Sequence, residues 1–210
     1  SQRPEMREIY LSDWRLGILV TLCIGTYTFY LARWSDQQSK MENSALQVSM
    51  LERDANTDPL TQLLNRRSLD VIVCNWIALG GPIGVLLLDL DHFKQINDEH
   101  GHEVGDEVLR AVSKTIRGTA RGDDVVIRWG GEELMVITRS AEISALTGFA
   151  ERLRYAVHNI KQSNLPSVSA SIGVSRYVDT EDFVKTTVAR ADKALYAAKN
   201  AGRNCVHCIW

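Results

Sequence analysis

The chain has 210 residues, 45% hydrophobic and 24% charged, with a formal net charge of −2; that allows one or two domains with an ordinary core. Lys and Arg are scattered rather than gathered in a stripe, which argues against a nucleic-acid partner. The four cysteines, Cys23, Cys74, Cys205 and Cys208, form no disulfide framework and fit a reducing compartment.

Leu16 to Ala32 is an uncharged apolar run bracketed by Trp14 and Arg15 and by Arg33 and Trp34, with Tyr27 and Tyr30 toward one end. It reads as a transmembrane helix with interfacial aromatics over residues 14–34, preceded by a juxtamembrane segment, 1–13. Thr21, Thr26 and Thr28 dilute the run, so a buried or interfacial helix is the alternative. A cleaved signal peptide is rejected: polar residues with Arg3 and Arg7 precede the run, and no small-residue cleavage site follows. Arg3, Arg7 and Arg15 balance Arg33, Lys40 and Arg53, so loop charge does not set the orientation. The chain opens on Ser1 rather than Met and is expected to be the tail of a longer protein.

Residues 35–57 turn polar and lack Gly and Pro. Met41, Val48 and Ala55 recur every seven residues, with Ser44 and Leu51 between them, which predicts a helix with a short heptad-like pattern. A dimerising stalk and a solvated linker helix are the two readings. The remaining domain, 58–210, opens with Asp58 as an N-cap and Pro59 at the first helical position. Helical spacing continues through Leu69, Ile72, Val73, Trp76 and Ile77 and stops at Gly80-Gly81-Pro82. Arg66 and Arg67 read as capping or ion-pairing residues.

Ile83 to Leu88 predicts a central strand buried on both faces, with Asp89 and Asp91 at its end. Val104 to Ala120 predicts a helix whose apolar face is Val104, Val108, Leu109, Val112 and Ile116. His92, His100 and His102 read as turn and packing residues. Val125 to Ile127 and Met135 to Thr138 flank Gly130-Gly131, a signal for a tight hairpin turn. Strand alternation then sends Glu132 and Glu133 to opposite faces. A helix over 141–160, a strand over 168–175 with one polar face, and a final helix over 181–201 ending at Gly202 complete the domain. Cys205-Val-His-Cys208 is half of a zinc pattern and reads as structural. Carboxylates brought together from two strand ends suit a hard cation on a triphosphate, so the domain reads as a metal-dependent nucleotide site.

These stretches also carry a family resemblance. Arg128-Trp-Gly-Gly-Glu-Glu-Leu134, Asp89-Leu-Asp-His-Phe-Lys-Gln-Ile-Asn97, Gly101-His-Glu-Val-Gly-Asp106 and the entry Asp58-Pro-Leu-Thr-Gln-Leu-Leu-Asn-Arg-Arg67 resemble the GGDEF domain of diguanylate cyclases, in order, from about Asp58 to Val206. The resemblance implies an α+β fold, a sheet with flanking helices akin to nucleotidyl cyclases, preceded here by the transmembrane helix and helical stalk. It implies a homodimer that condenses two GTP into cyclic di-GMP with Mg2+, or Mn2+ in its place. The matching residues are Asp89, the carbonyl of Leu90, and Glu132 for the metal, and Glu133 for the reacting hydroxyl or a second metal.

The backbone at Phe93 and Gly131, with Lys94, Lys199 and Arg203, matches the phosphate contacts. Asn97 and Asp106 match the residues that read guanine: a carboxylate accepts from its N1 and N2 donors, a pattern adenine lacks. Arg121-x-x-Asp124, with Arg152, matches a product-inhibition site for cyclic di-GMP. The GTP requirement places the catalytic domain on the cytoplasmic side of the inner membrane. Glu132 stands where the family more often has Asp, and Leu134 where it usually has Phe, which leaves less volume under the turn. The alternative reading is an inactive GGDEF module that binds GTP or cyclic di-GMP and signals by protein contacts.

Overall fold

The computed structural model describes residues 4–161 and 164–210, with the backbone alone at 4–13, 43–46 and 48–55. Its first element, α1 (Pro4–Asn56), is a single helix of 53 residues. Within it, Trp14–Glu42 is long and apolar enough to cross a membrane, with a mean hydropathy of 1.4. Leu16, Leu19, Leu22, Ile24 and Phe29 are all exposed on it, an arrangement that lipid favours and water does not. The threonines that dilute the run satisfy their hydroxyls within the helix: Thr21 donates to the Gly17 carbonyl (2.8 Å), Thr26 to Cys23 (3.0 Å) and Thr28 to Gly25 (3.0 Å). Side-chain polarity there costs little in a membrane. The side chains of Ser44, Val48, Leu51 and Ala55, on which the heptad reading rests, and those of Arg3, Arg7 and Arg53 lie outside the described residues.

The second compact unit, Asp54–Trp210, contains β1 (Leu64–Asn65), α2 (Ser68–Ala78), β2 (Gly84–Leu90), α3 (Phe93–His100), α4 (His102–Thr119), β3 (Val125–Arg128), β4 (Glu133–Thr138), α5 (Ile143–His158), β5 (Ala170–Arg176), a π-helical turn (Phe183–Val188), α6 (Ala189–Asn200) and β6 (Val206–Cys208). The strands form one sheet in the order β1-β3-β4-β2-β5-β6. The outer pairs β1–β3 and β5–β6 are parallel and the inner pairs antiparallel. This is the expected α+β architecture.

All seven residues of β2 are buried, as a strand covered on both faces requires. Alternation divides them between two cores. Val85 and Leu87 pack with Met135, Ile137, Leu69, Val73 and Leu195; Leu86, Leu88 and Leu90 pack with Leu134, Val136 and the apolar faces of α4 and α5. Leu134, in the place of a larger Phe, is 1% exposed. Asp89 continues the phase of Val85 and Leu87 and so reaches the rim of the α6 face.

Helix α6 is set against β5 by Gly173. A Cβ there would overlap the Ala191 carbonyl oxygen and the Leu195 nitrogen, so only glycine lets the helix backbone lie on the strand. Glu181, before the π-helical turn, accepts from Arg190 Nη1 (2.8 Å) and Nη2 (2.7 Å), and Arg190 Nε donates to Ser175 Oγ (3.1 Å). The polar face of β5 is therefore not solvated. Ser171 and Ser175 are fully buried because Asp91 and Arg190 bind them from inside.

Two expected boundaries differ. Asp58 does cap a turn, accepting from Thr61 N (2.8 Å) and Thr61 Oγ1 (2.7 Å), but Gln62 then adopts a left-handed φ of 58° and ends it. The helix starts only at Ser68. The final helix opens with the π-helical turn rather than at Glu181, whose side chain is engaged with Arg190 and Thr187. Its C-terminus behaves as expected: Gly202 has φ +114° and Arg203 N reaches back to the Ala198 carbonyl (3.2 Å).

Hydrogen bonds from Arg190 hold the Glu181 carboxyl down at about 2. Its stabilisation is fully present above the ordinary value of 4.5 and is lost as pH falls from there through about 2. Arg190→Ala should lower stability at neutral pH by about 1–2 kcal/mol and flatten the acid limb of a urea-midpoint profile; an unchanged limb would contradict the assignment. Gly173→Ala should cost about 1–3 kcal/mol or more, read as a lower melting temperature.

Candidate functional site

The centre of the site is a register position. Asp89 on β2 lies directly opposite Glu133 on β4, and residues directly opposite in an antiparallel pair share a face. Two like charges placed so repel, and a cation answers them: Lys199 Nζ lies 2.7 Å from Asp89 Oδ2. Lys199 occupies the last turn of α6, where the helix dipole favours a cation; the docking of α6 at Gly173 turns that preference into a specific pair. Burial raises the Asp89 carboxyl above the ordinary aspartate range against the opposing Lys199 ammonium, with Glu132 and Asp91 adding to the rise. Burial likewise raises Glu133, assisted by Asp89, Asp192 and Glu132 and opposed by Lys199. Glu133, Asp192, Lys193, Leu195, Tyr196 and Lys199 line one cleft.

The hairpin that carries the two glutamates differs from the expected tight turn. Neither Gly130 nor Gly131 has a positive φ, which a primed two-residue turn requires. The ladder closes at Arg128–Leu134 and the loop is wider, with Trp129 N (2.8 Å) and Gly130 N (3.2 Å) both donating to the Glu133 carbonyl. Glu132 is therefore off the ladder rather than on the opposite face, and Glu133 shares the face of Asp89. Arg128 explains the opening. Its Nε (3.1 Å) and Nη2 (2.8 Å) donate to the Gly131 carbonyl, while Nη1 takes both carboxylate oxygens of Asp58 at 2.9 Å. Arg66 stacks over Trp129, 4.1 Å from the ring centroid, and among the described residues it pairs with no acid.

Asp91, the second acid at the end of β2, is not available to the site. It accepts from Ser169 Oγ and Ser171 Oγ (both 2.6 Å) and from Asn204 N (3.0 Å). Asn97 on α3 and Asp106 on α4 come together through Gly105, where a Cβ would overlap Asn97 Oδ1. Neither side chain caps a helix or makes a hydrogen bond among the described residues. Phe93 is buried at the first position of α3, with Lys94 exposed beside it. Arg203 is exposed past α6 at φ 65°, and Gly131 is exposed in the hairpin loop. Among the described residues neither Lys94 nor Arg203 pairs with a carboxylate.

Arg121, Asp124 and Arg152 line a common groove. Asp124 closes its own turn, with Oδ2 accepting from Arg121 N (2.7 Å). Cys205 Sγ donates to the Ala198 carbonyl (3.2 Å), and Cys208 Sγ meets Thr147 Oγ1 at 3.6 Å, two separate packing contacts.

Among the described residues no three His, Cys, Asp or Glu side chains form a ready-made metal cage. The donors at hand are nonetheless oxygen atoms: Asp89, Glu132 and the Leu90 backbone. Mg2+ suits such a site, since it takes one or two carboxylates and completes its shell with water and substrate phosphates. Sequence reasoning passed over Arg128, Asp192, Tyr196 and Gly105. The signals were there: Asp192, Tyr196 and Lys199 share a helical face, and an isolated glycine inside a helical pattern asks for a packing reason.

Comparison with known proteins agrees with this geometry. Residues 55–205 match the family model described as diguanylate cyclase, GGDEF domain. The chain is 40% identical over 160 residues to diguanylate cyclase DgcM of Escherichia coli, covering 74% of this chain and 39% of DgcM, so it spans about two fifths of that relative. The coiled coil and GGDEF domain of DgcB from Caulobacter crescentus, solved in complex with c-di-GMP, superposes with a TM-score of 0.76 at 31% identity, over 85% of this chain and 98% of that one. The active GGEEF domain of a Vibrio cholerae diguanylate cyclase, which shares the Glu found here at position 132, superposes at 0.63 with 29% identity, over 70% and 97% of the two chains. On sequence and fold together, this chain belongs to the GGDEF family of diguanylate cyclase domains.

Proposed function

We propose that the chain joins two GTP into cyclic di-GMP with release of two pyrophosphates. The observation that carries this reading is the Asp89–Glu133 opposition with Lys199 against it; the Asn97 and Asp106 side chains, without a hydrogen bond among the described residues, support it. In each of two steps the 3′-oxygen of one GTP bonds to the α-phosphorus of the other. The bond to the bridging oxygen breaks, and pyrophosphate leaves with the electron pair. Glu133 receives the hydroxyl proton; its raised pKa suits a proton acceptor. Lys94, Lys199 and Arg203 neutralise the triphosphate, and Asn97 and Asp106 select guanine. Mg2+, or Mn2+, would be held by Asp89, Glu132 and the Leu90 carbonyl, and when bound it neutralises phosphate charge and lowers the pKa of the 3′-hydroxyl.

One chain supplies half of a two-substrate site, so the reaction calls for a homodimer. Gly17, Thr21 and Gly25 recur every fourth residue on α1, a spacing that lets membrane helices approach closely and supports the dimer. A membrane-anchored chain with its catalytic unit in the cytoplasm fits both the apolar helix and the need for GTP. Inhibition by product at Arg121, Asp124 and Arg152 is part of the same reading.

The full chain in detergent, given GTP and Mg2+, should yield cyclic di-GMP on chromatography. EDTA should abolish the product, and Glu132→Gln should reduce it by about 100-fold or more. GTP bound without turnover by a demonstrated dimer would leave only a binding module. Asp106→Ala should lower kcat/KM for GTP by about 10- to 100-fold and narrow the gap to inosine triphosphate, which lacks the 2-amino donor; an unchanged gap would remove Asp106 from base recognition.

A further inference from the structure

Of the three cations assigned to the triphosphate, one stands apart. Among the described residues Lys94 and Arg203 pair with no carboxylate, whereas Lys199 Nζ lies 2.7 Å from Asp89 Oδ2. Asp89 is also one of the oxygen donors that suit Mg2+. The ammonium therefore occupies the carboxylate that a metal would use, through a charge-assisted contact of the stronger kind. Asp89 is the more covered partner, its side chain 11% exposed against 32% for Lys199.

The C-terminus of α6 favours a cation for its own sake. That accounts for the charge at position 199 but not for its place on a metal donor. A divalent cation brought to the same carboxylate meets the ammonium as a like charge, so the two compete for Asp89. The backbone need not move for one to replace the other. Gly173 sets α6 against β5, and Lys199 carries its charge on a flexible four-carbon stem. Its side chain lines the same cleft as Glu133, Asp192 and Tyr196, so the ammonium can turn from Asp89 to an anion bound there without leaving the cleft.

We propose that Lys199 keeps the metal position closed until a triphosphate arrives. Without nucleotide its ammonium neutralises Asp89; with nucleotide the phosphates draw the ammonium away and leave the carboxylate to the metal. One side chain thus makes metal and nucleotide bind as a pair, and by reciprocity each favours the other to the same extent. This rests on the GTP reading above.

The test reads binding rather than turnover. The full chain in detergent is titrated with Mn2+, followed by electron paramagnetic resonance, and in EDTA with 3′-deoxyguanosine triphosphate, followed by calorimetry; that nucleotide lacks the attacking hydroxyl and cannot react. Lys199→Met should tighten binding of Mn2+ alone about fivefold or more and weaken metal-free nucleotide about tenfold or more. Lys199→Arg keeps the charge and should leave Mn2+ affinity close to wild type, and Lys199→Gln supplies a second neutral chain if Lys199→Met does not fold. With the nucleotide present, the Mn2+ advantage of the neutral variant should vanish; direct binding of Mn2+ by nucleotide is common to both chains and cancels. Mn2+ affinity or metal-free nucleotide affinity that is indifferent to Lys199 overturns the proposal. An Mn2+ advantage undiminished by nucleotide also overturns it and leaves Lys199 a fixed partner of Asp89. If the chain nonetheless makes cyclic di-GMP, only the exchange at Asp89 is lost; a chain that binds no guanine nucleotide loses the GTP reading as well.

Discussion

Two carboxylates facing each other across an antiparallel pair are an unfavourable arrangement, and the second compact unit is built to hold it. Asp89 and Glu133 are fixed in register by the ladder between β2 and β4, so neither can relax away without breaking strand pairing. Both pKa values are raised, chiefly by burial, with Glu132 and Asp91 adding to the rise at Asp89 and Asp89 adding to it at Glu133. Lys199 relieves it in part. A site poised in this way has a standing affinity for further positive charge, of the kind a hard cation carries.

The hairpin is held from outside by a different charge. Arg128 binds the Asp58 carboxylate with one nitrogen and the Gly131 carbonyl with two, so the entry turn and the loop bearing Glu132 share one guanidinium. The pair is about four-fifths buried, with side chains 18% and 17% exposed, so removing one partner strands a desolvated charge and costs more than losing a surface ion pair. Hydrogen bonds from Thr61 and Arg128 hold the Asp58 carboxyl below its usual range even against burial. One rigid planar fork thus ties the entry turn to the loop. The loop opens for the same reason, because a tight primed turn would not present the Gly131 carbonyl to Arg128.

Much of this was legible in the sequence. The apolar run of β2, the amphipathic pattern of α4 and the stop at Gly202 follow from periodicity and backbone preference, which are local. The acidic pairs at two strand ends led to Asp89 and Glu133, which the ladder sets opposite each other, while Asp91 is taken up by Ser169 and Ser171. What was not legible depended on long-range partners. Asp58 reads as an ordinary N-cap until Arg128 is known to lie against it. Glu132 and Glu133 follow simple alternation only if both are on the ladder, and whether they are is decided by a side chain four residues earlier. The serines of β5 read only as a polar face because nothing local shows that Asp91 and Arg190 reach them.

Asp91 takes no part in the proposed chemistry, yet it has a thermodynamic role there. By accepting from Ser169, Ser171 and the Asn204 nitrogen, it fastens the segment after α6 to the end of β2. Arg203, next to Asn204 and already at a left-handed φ of 65°, thus has its backbone ordered before any anion arrives. An arginine on a loose loop would lose about 1–2 kcal/mol of backbone entropy for each residue it immobilised, in addition to its own rotamers. Here only the rotamers remain to be lost. The silent carboxylate lowers the entropic penalty of engaging Arg203 with an anion.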